Sequence, residues 1–150
     1  MPAEPQAEIP AVLKDFGRRL IRRGLGHVSV IMGDFDLSLT HLGTLIQLQQ
    51  AGSLSVSQIA QARGLSLQTA SHMLNRLVER GFLARQEDPA DRRQKRLTLT
   101  PAGEEVLARF DAGRDEALRE LFGHAPPDLM QRLGAVLTEL MQADTVKGRR

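Results

Sequence analysis

The sequence contains no cysteine, tryptophan or tyrosine, and only five phenylalanines occur among its 150 residues. The absence of cysteine excludes disulfides, thiolate zinc sites and a thiol-based oxidation switch. Because proteins stack nucleic-acid bases on aromatic side chains, the shortage of rings argues against a stacking surface for single strands. A nucleic-acid ligand of this chain would instead be bound through its grooves and phosphates.

Long apolar runs are also missing. No run approaches the ~20 residues that a transmembrane helix needs, and the first ten residues, MPAEPQAEIP, lack the charged start and apolar centre of a signal peptide. The length of 150 residues is enough for one domain with a buried core. From these features we expect a cytoplasmic protein without membrane contact, built as a single domain over residues 1–150.

The charge of the chain is concentrated in its middle. The net charge is only +2, but residues 61–100 carry eight cations against four anions. Residues 1–60 are balanced at five and five, and residues 101–150 carry seven cations against nine anions. A local basic region is a better indication of nucleic-acid binding than a basic total. Four of these eight cations lie in the segment EDPADRRQKR, residues 87–96.

Apolar residues at helical spacing predict long helices at both ends of the chain. The first runs from Ile9 to about Ile31, although each of its glycines costs roughly 1 kcal/mol relative to alanine. The last begins after the prolines at 126 and 127, with coiled-coil-like apolar positions at Leu129, Leu133, Val136, Leu137, Leu140 and Met141. The first helix also carries Arg18, Arg19, Arg22 and Arg23, for which a solvated face is the simplest interpretation. Both helices need packing against another element or another chain.

Capping signals divide the middle of the chain into shorter helices. Ser38 has the side chain of an N-cap, and Gly52 supplies a C-terminal stop. Ser55 and Gln58 fit a capping box, in which the hydroxyl and the amide each bond a free backbone N–H. A turn at residues 63–65 then leads to Ser66, which caps a second short helix that ends at Gly81.

After residue 81 the apolar period changes from 3.6 to 2, which predicts antiparallel strands at 82–86 and 95–99. Thr100 and Pro101 form a helix start, with the hydroxyl as cap and proline at the first helical position. Two short helices followed by a hairpin predict a winged helix-turn-helix. The expected fold is therefore mainly α with a small β-hairpin: a lobe at about 38–100, flanked by helices at 9–33 and 101–146.

The outward face of the helix after Ser66 has hydrogen-bonding side chains and no carboxylate; they are Gln68, Thr69, Ser71, His72, Asn75 and Arg76. A polar face alone is typical of a solvated helix, but a merely solvated helix normally mixes both signs of charge. Such a helix fits the major groove of DNA. A basic wing fits the adjacent minor groove, where Asp91 would hold the guanidinium of Arg93 extended.

Residues 37–103 resemble the MarR family of bacterial winged-helix transcriptional regulators. The likeness rests on LSLTHLGTL, LSVSQIAQARGLS, the helix at 66–77, RLVERGFLARQEDPADRR and LTLTPAG, and DPADRR followed by LTLTPAG is its most specific part. The resemblance implies a homodimer in which the end helices of two subunits intertwine and two lobes read a pseudo-palindromic operator. The DNA contacts that it implies are Ser66, Gln68, Thr69, His72, Arg76, Arg92, Arg93 and Lys95. His72 departs from the arginine or lysine often found at its position.

We therefore expect a DNA-binding transcriptional regulator, acting as a repressor and released by a small aromatic or amphipathic anion. The candidate effector lining is Phe16, Arg19, Arg23, His27, Met32 and His41, for which ordinary packing and exposed charge are the alternative explanation. His27, His41 and His124 lack the close spacing of zinc ligands, and no metal or cofactor is predicted.

No enzyme is predicted either, since adjacent helical residues such as Ser71 and His72 point about 100° apart and cannot pair as nucleophile and base. The alternative function is a winged-helix module that binds protein without binding DNA. The acid-free face argues against that alternative, because it has no aromatic anchor of the kind that protein interfaces favour.

Overall fold

The computed structural model describes residues 9–87 and 95–147, with side chains described through residue 143. Six helices and three strands follow one another in the order α1 Ala11–Asp34, α2 Leu39–Ala51, β1 Leu54–Ser55, α3 Val56–Arg63, α4 Leu67–Glu79, β2 Leu83–Glu87, β3 Lys95–Leu99, α5 Pro101–Phe122 and α6 Pro127–Lys147. This arrangement confirms the expected mainly α fold with a winged helix-turn-helix lobe.

The predicted N-caps are present in the lobe. At the start of α3, Ser55 Oγ accepts from the Gln58 N–H at 3.3 Å, and Gln58 Oε1 accepts from the Ser55 N–H at 2.9 Å. Ser38 caps α2 in the same way, with His41 Nδ1 as the reciprocal acceptor of the Ser38 N–H at 3.1 Å. Ser66 Oγ accepts from the backbone of the first turn of α4. These bonds satisfy N–H groups that a helix start leaves without partners.

Glycines make the turns between the elements of the lobe. Gly52, Gly64 and Gly81 have φ values of 74°, 62° and 77°, a region in which a side chain is strained. Gly64 lets α3 and α4 meet across a short turn, and Gly81 ends α4 just before the wing. The chain reversals that present α4 therefore depend on glycine at these positions.

The sheet has the order β1-β3-β2 and is antiparallel throughout. In the hairpin, Leu83 faces Leu99 and the register continues to Glu87 opposite Lys95. The two predicted strands are thus confirmed, with the first shifted by one residue. The third strand, β1, was missed because it has only two residues and pairs with a segment some forty positions away.

The core lies inside the lobe and includes fully buried side chains of α2, α3, α4, β3 and α5: Leu45, Leu48, Ile59, Leu74, Leu77, Leu97 and Val106. α5 begins at the Thr100 cap and packs tightly on the lobe, since a Cβ on Gly103 would lie 2.3 Å from the Phe82 carbonyl oxygen. The end helices differ from the lobe, because large apolar residues along α1 and α6 stay exposed. No helix in the described ranges has the length and apolar content to cross a bilayer.

Candidate nucleic-acid interface

Helix α4 has one buried face and one open face. Ala70, Met73, Leu74 and Leu77 are buried against the rest of the lobe. On the opposite side Gln68, Thr69, His72 and Arg76 are exposed, while Ser71 and Asn75 are half-buried at the edges. The helical period separates the two sets, so burial of the apolar face directs the four polar side chains outward.

The amino end of α4 is open and electropositive. Ser66 Oγ accepts from the Thr69 N–H at 3.1 Å and lies 2.8 Å from the Thr69 hydroxyl. The first turn of α4 has no acidic side chain. A helix amino terminus with free N–H groups and no carboxylate attracts anions such as phosphate. The two hydroxyls, both exposed, therefore lie where the local field favours a phosphate.

Asn75, predicted to face DNA, is bound to the wing. The Arg85 guanidinium of β2 donates to Asn75 Oδ1, so one polar group of the outward face already has a partner. Arg85 is not among the residues predicted to form the site, although the period-2 pattern of its strand could have placed it beside α4. This bond connects the wing directly to the outward helix.

The described cations of the wing have different surroundings. Lys95 Nζ lies 3.0 Å from Glu87 Oε1, across the hairpin and in register with it. Such an exposed ion pair contributes about 0–1 kcal/mol, so Lys95 can exchange Glu87 for another anion. Arg96 turns inward: its Nε donates to Ser53 Oγ at 2.9 Å and its Nη2 to the Ser53 carbonyl at 3.0 Å. Asp91, Arg92 and Arg93 lie outside the described residues.

The candidate effector residues do not converge on one cavity. Phe16 stacks on Phe122, with ring centroids 5.6 Å apart, in an apolar groove of about 620 Å³ between α1, α5 and α6. Arg19 and Arg23 border a polar hollow with Arg22, and they bond Asp15 and Glu120 respectively. Met32 is half-buried near the end of α1.

His27 and His41 lie in two further environments. His27 faces a largely apolar cavity of about 250 Å³ between α1 and α5. Arg114 also lines this cavity. His41 is part of the α2 cap, and its pKa is lowered by burial and then by the positive charges of Arg76 and Arg80. His41 therefore favours the neutral form that accepts the Ser38 N–H. Within the described residues no three metal-binding side chains cluster.

Known proteins are similar to this chain in sequence and in fold. The model of the MarR family matches residues 35–94, which include the elements from α2 to β2. The B. subtilis protein described as the uncharacterized HTH-type transcriptional regulator YfiV is 36% identical over 88 residues, 59% of this chain and 54% of that protein. Over residues 35–94 the chain is therefore similar to the MarR family. It spans about half the length of the YfiV relative.

Solved structures extend the likeness to the whole MarR-type fold. The transcriptional regulator Tm0710 from Thermotoga maritima superposes with a TM-score of 0.81 at 21% identity, covering 93% of this chain and 95% of that one. An S. aureus MepR–DNA complex gives 0.67 at 25% identity, with coverage of 84% and 95%. NadR in complex with 4-hydroxyphenylacetate gives 0.56 at 21% identity, with coverage of 93% and 97%.

Proposed function

We propose that this chain is a transcriptional regulator of the MarR family, and that as a homodimer it binds a pseudo-palindromic duplex operator and represses transcription. The observation that carries the proposal is the outward face of α4, which is exposed, rich in hydrogen-bonding groups and free of carboxylates. A helix of this kind fits the major groove, and the wing beside it fits the minor groove. The MepR–DNA complex, a structural relative at 25% identity, supports duplex DNA as the ligand.

The positions of the α4 side chains support the roles proposed for that helix. Gln68, Thr69, His72 and Arg76 reach base edges or phosphates from the open face of α4, and Ser66 faces a phosphate at the amino end of that helix. Ser71 and Asn75, at the edges of the face, support these contacts. In the wing, Arg93 enters the minor groove with Asp91 as its orienting carboxylate, while Arg92 and Lys95 neighbour phosphates. The wing-tip roles rest on the sequence and the family resemblance.

The homodimer accounts for the end helices. Phe16, Leu20, Phe122, Leu133 and Leu137 border an apolar groove that a single chain leaves open. A contiguous apolar surface of this kind is stabilised when a second chain covers it. We therefore assign residues 9–33 and 101–146 to dimerisation and residues 38–100 to DNA binding.

The test is selection of bound duplexes from a fragmented genome, followed by gel-shift titration of the recovered sites. We expect paired half-sites, and an affinity that falls about a thousandfold between ~50 and ~200 mM salt because phosphate binding releases counterions. Arg76→Ala should weaken binding roughly tenfold, whereas Glu79→Gln, a charge change at an exposed position of α4 without an assigned DNA contact, should not. A failure to recover any duplex would favour the protein-binding alternative.

A second proposal concerns release from DNA by a small aromatic anion. The cavity between α1 and α5 is apolar except for His27 and Arg114, which are two potential partners for a carboxylate. Regulation by such a ligand is supported by the likeness to NadR, which was solved with 4-hydroxyphenylacetate. Thermal shift with a panel of aromatic carboxylates should find compounds that raise the Tm of the wild type and not of His27→Leu. A panel without any such compound would count against an effector of this class.

A further inference from the structure

Arg80 joins the carboxyl ends of two helices. It is the C-cap residue of α4, and its guanidinium reaches the end of α1. Nη1 donates to the Asp36 carbonyl at 2.7 Å, and Nη2 donates to the Phe35 carbonyl. The carboxyl end of a helix carries partial negative charge and carbonyls without helical partners, so a cation there is favourable. One side chain thus links the outward helix to the first end helix.

Two aromatic rings pack beside this contact. The Arg80 guanidinium carbon lies 5.2 Å from the ring centroid of Phe82. Phe82 meets Phe35 edge to face, with centroids 6.0 Å apart and an interplanar angle of 79°. Arg109 of α5 covers the Phe35 ring from 5.3 Å. We name these residues, Phe35, Asp36, Arg80, Phe82 and Arg109, the Arg80 junction; it connects α1, α4, α5 and the start of the wing.

Hydrogen bonds to backbone are the main attachment of Arg80. The Asp36 carboxylate lies 3.6 Å from Nη1, but that side chain is 87% exposed and contributes little. Arg80 itself is only 28% exposed. A planar guanidinium can bond two carbonyls while stacking on a ring, which a lysine ammonium cannot do. The contact therefore depends on the shape of arginine as well as on its charge.

The position of the junction determines what it can do in a dimer. The outward helix of each lobe must enter successive major grooves, which are about one helical turn apart. The angle between α4 and the end helices sets the separation of the two outward helices. In the Arg80 junction, Arg80 at the end of α4, Phe35 at the end of α1 and Arg109 of α5 are linked through ring contacts.

We infer that Arg80 is a positioning residue for DNA binding: it fixes α4 relative to α1 and α5 and so determines which half-site spacing the dimer accepts. This inference rests on the proposed homodimeric DNA binding. Arg80 differs in role from Arg76, one turn earlier on α4, which is exposed and available to DNA. The hydrogen-bonding nitrogens of Arg80 are directed at α1.

The experiment compares duplexes that carry the operator selected by the wild-type protein, with the half-sites moved one base pair closer or farther apart. The wild type should prefer the natural spacing. In Arg80→Gln the ratio of the affinities for the natural and the altered spacings should fall roughly tenfold, which is the effect of losing a hydrogen bond to a charged group. The salt dependence of the affinity should stay as in the wild type. Arg80→Lys should follow Arg80→Gln, and the control Glu79→Gln, at the exposed neighbouring position of α4, should keep the wild-type preference.

Hydrogen exchange gives a readout that needs no DNA. The N–H groups of Phe35, Asp36 and Leu37 bond the last carbonyls of α1, and in Arg80→Gln they should exchange about tenfold faster. The core helix α3 should remain protected as in the wild type. If Arg80→Gln does not fold, Phe82→Leu removes the ring beneath the guanidinium and should give smaller changes in the same direction.

Three results would overturn the inference. One is unchanged exchange at residues 35–37; another is full spacing preference in Arg80→Lys. The third is an equal loss of affinity at every spacing with a shallower salt dependence, which would make Arg80 a phosphate contact. A wild-type protein that binds no duplex would instead refute the proposed function, and a DNA-positioning role for Arg80 with it.

Discussion

The lobe and the end helices differ in how far their apolar residues are buried. In the lobe, Leu45, Leu74 and Leu97 are completely buried. In the end helices, Val12 of α1 is 77% exposed and Met141 of α6 is 71% exposed. Both regions have clear helical or strand periodicity, so periodicity alone does not tell whether the same chain supplies the packing partner. The lobe buries its apolar residues within one chain, whereas the end helices leave apolar surface that the proposed dimer would cover.

The largest effect is expected inside the lobe. Leu74→Ala should lower the free energy of unfolding by about 2–5 kcal/mol, because it leaves a cavity in the core. The control is Leu67→Ala on the same helix, where the side chain is 60% exposed and the loss should be small. Urea denaturation followed by circular dichroism measures both. Equal losses would contradict the boundary between the buried and open faces of α4.

The next effect tests the end helices. Leu137 and Leu140 of α6 are 43% and 55% exposed, and replacing both with glutamate should raise the dimer dissociation constant at least about a hundredfold, or ~3 kcal/mol. Light scattering at micromolar concentration should then give the mass of one chain. Gln131→Glu adds a charge to the same helix at an exposed polar position and should leave the dimer intact. A wild-type chain that is already monomeric would refute the dimer.

A third prediction compares two arginines of the wing. Arg93→Ala should weaken operator binding roughly tenfold through the lost minor-groove contact, with no change in Tm. Arg96→Ala should lower the Tm, because it removes the hydrogen bonds to Ser53 that hold β3. Gel shift and thermal denaturation of both variants separate the two roles. Wild-type affinity in Arg93→Ala would remove the proposed minor-groove contact.

The smallest effect concerns the cap of α2. Because the folded state lowers the pKa of His41, the unfolded state takes up protons more readily as the pH falls below about 6.5. The stability contributed by neutral His41 is therefore present above that pH and lost as the pH falls through the folded pKa. His41→Gln should weaken this pH dependence, since it recreates the uncharged box of Ser55 and Gln58. The free energy of unfolding of the wild type and of His41→Gln is measured by denaturation at pH 7.5 and at pH 5. If it changes equally in both proteins between these pH values, the assignment is contradicted.

The features predicted correctly from the sequence are local. Caps such as Ser55 and Ser66 and turns such as Gly64 depend on residues within four positions of each other. The amphipathic pattern of α4 separated its buried and open faces for the same reason. The winged arrangement was also predicted from the order of these local pieces, two short helices followed by a hairpin.

The features that were missed involve residues distant in the sequence. Arg80 reaches carbonyls forty-four and forty-five positions away, and Arg96 reaches Ser53 across forty-three. An arginine in a basic segment looks the same whether it faces solvent, DNA or the backbone of another element. The candidate effector residues belong to α1 and α2. Which of their side chains share a cavity depends on where α5 packs, and local sequence patterns do not give that position.

Thr100 is the single residue between the wing and α5. β3 ends at Leu99 and α5 begins at Pro101, whose ring fixes the backbone angle there. The Thr100 hydroxyl accepts from the Gly103 N–H at 3.1 Å and donates to the Gly81 carbonyl at 2.5 Å. The wing and the long helix are therefore joined without a linker, and one hydroxyl bonds both the turn after α4 and the first turn of α5. The direction in which α5 leaves the lobe is set by the same residue that ends the wing.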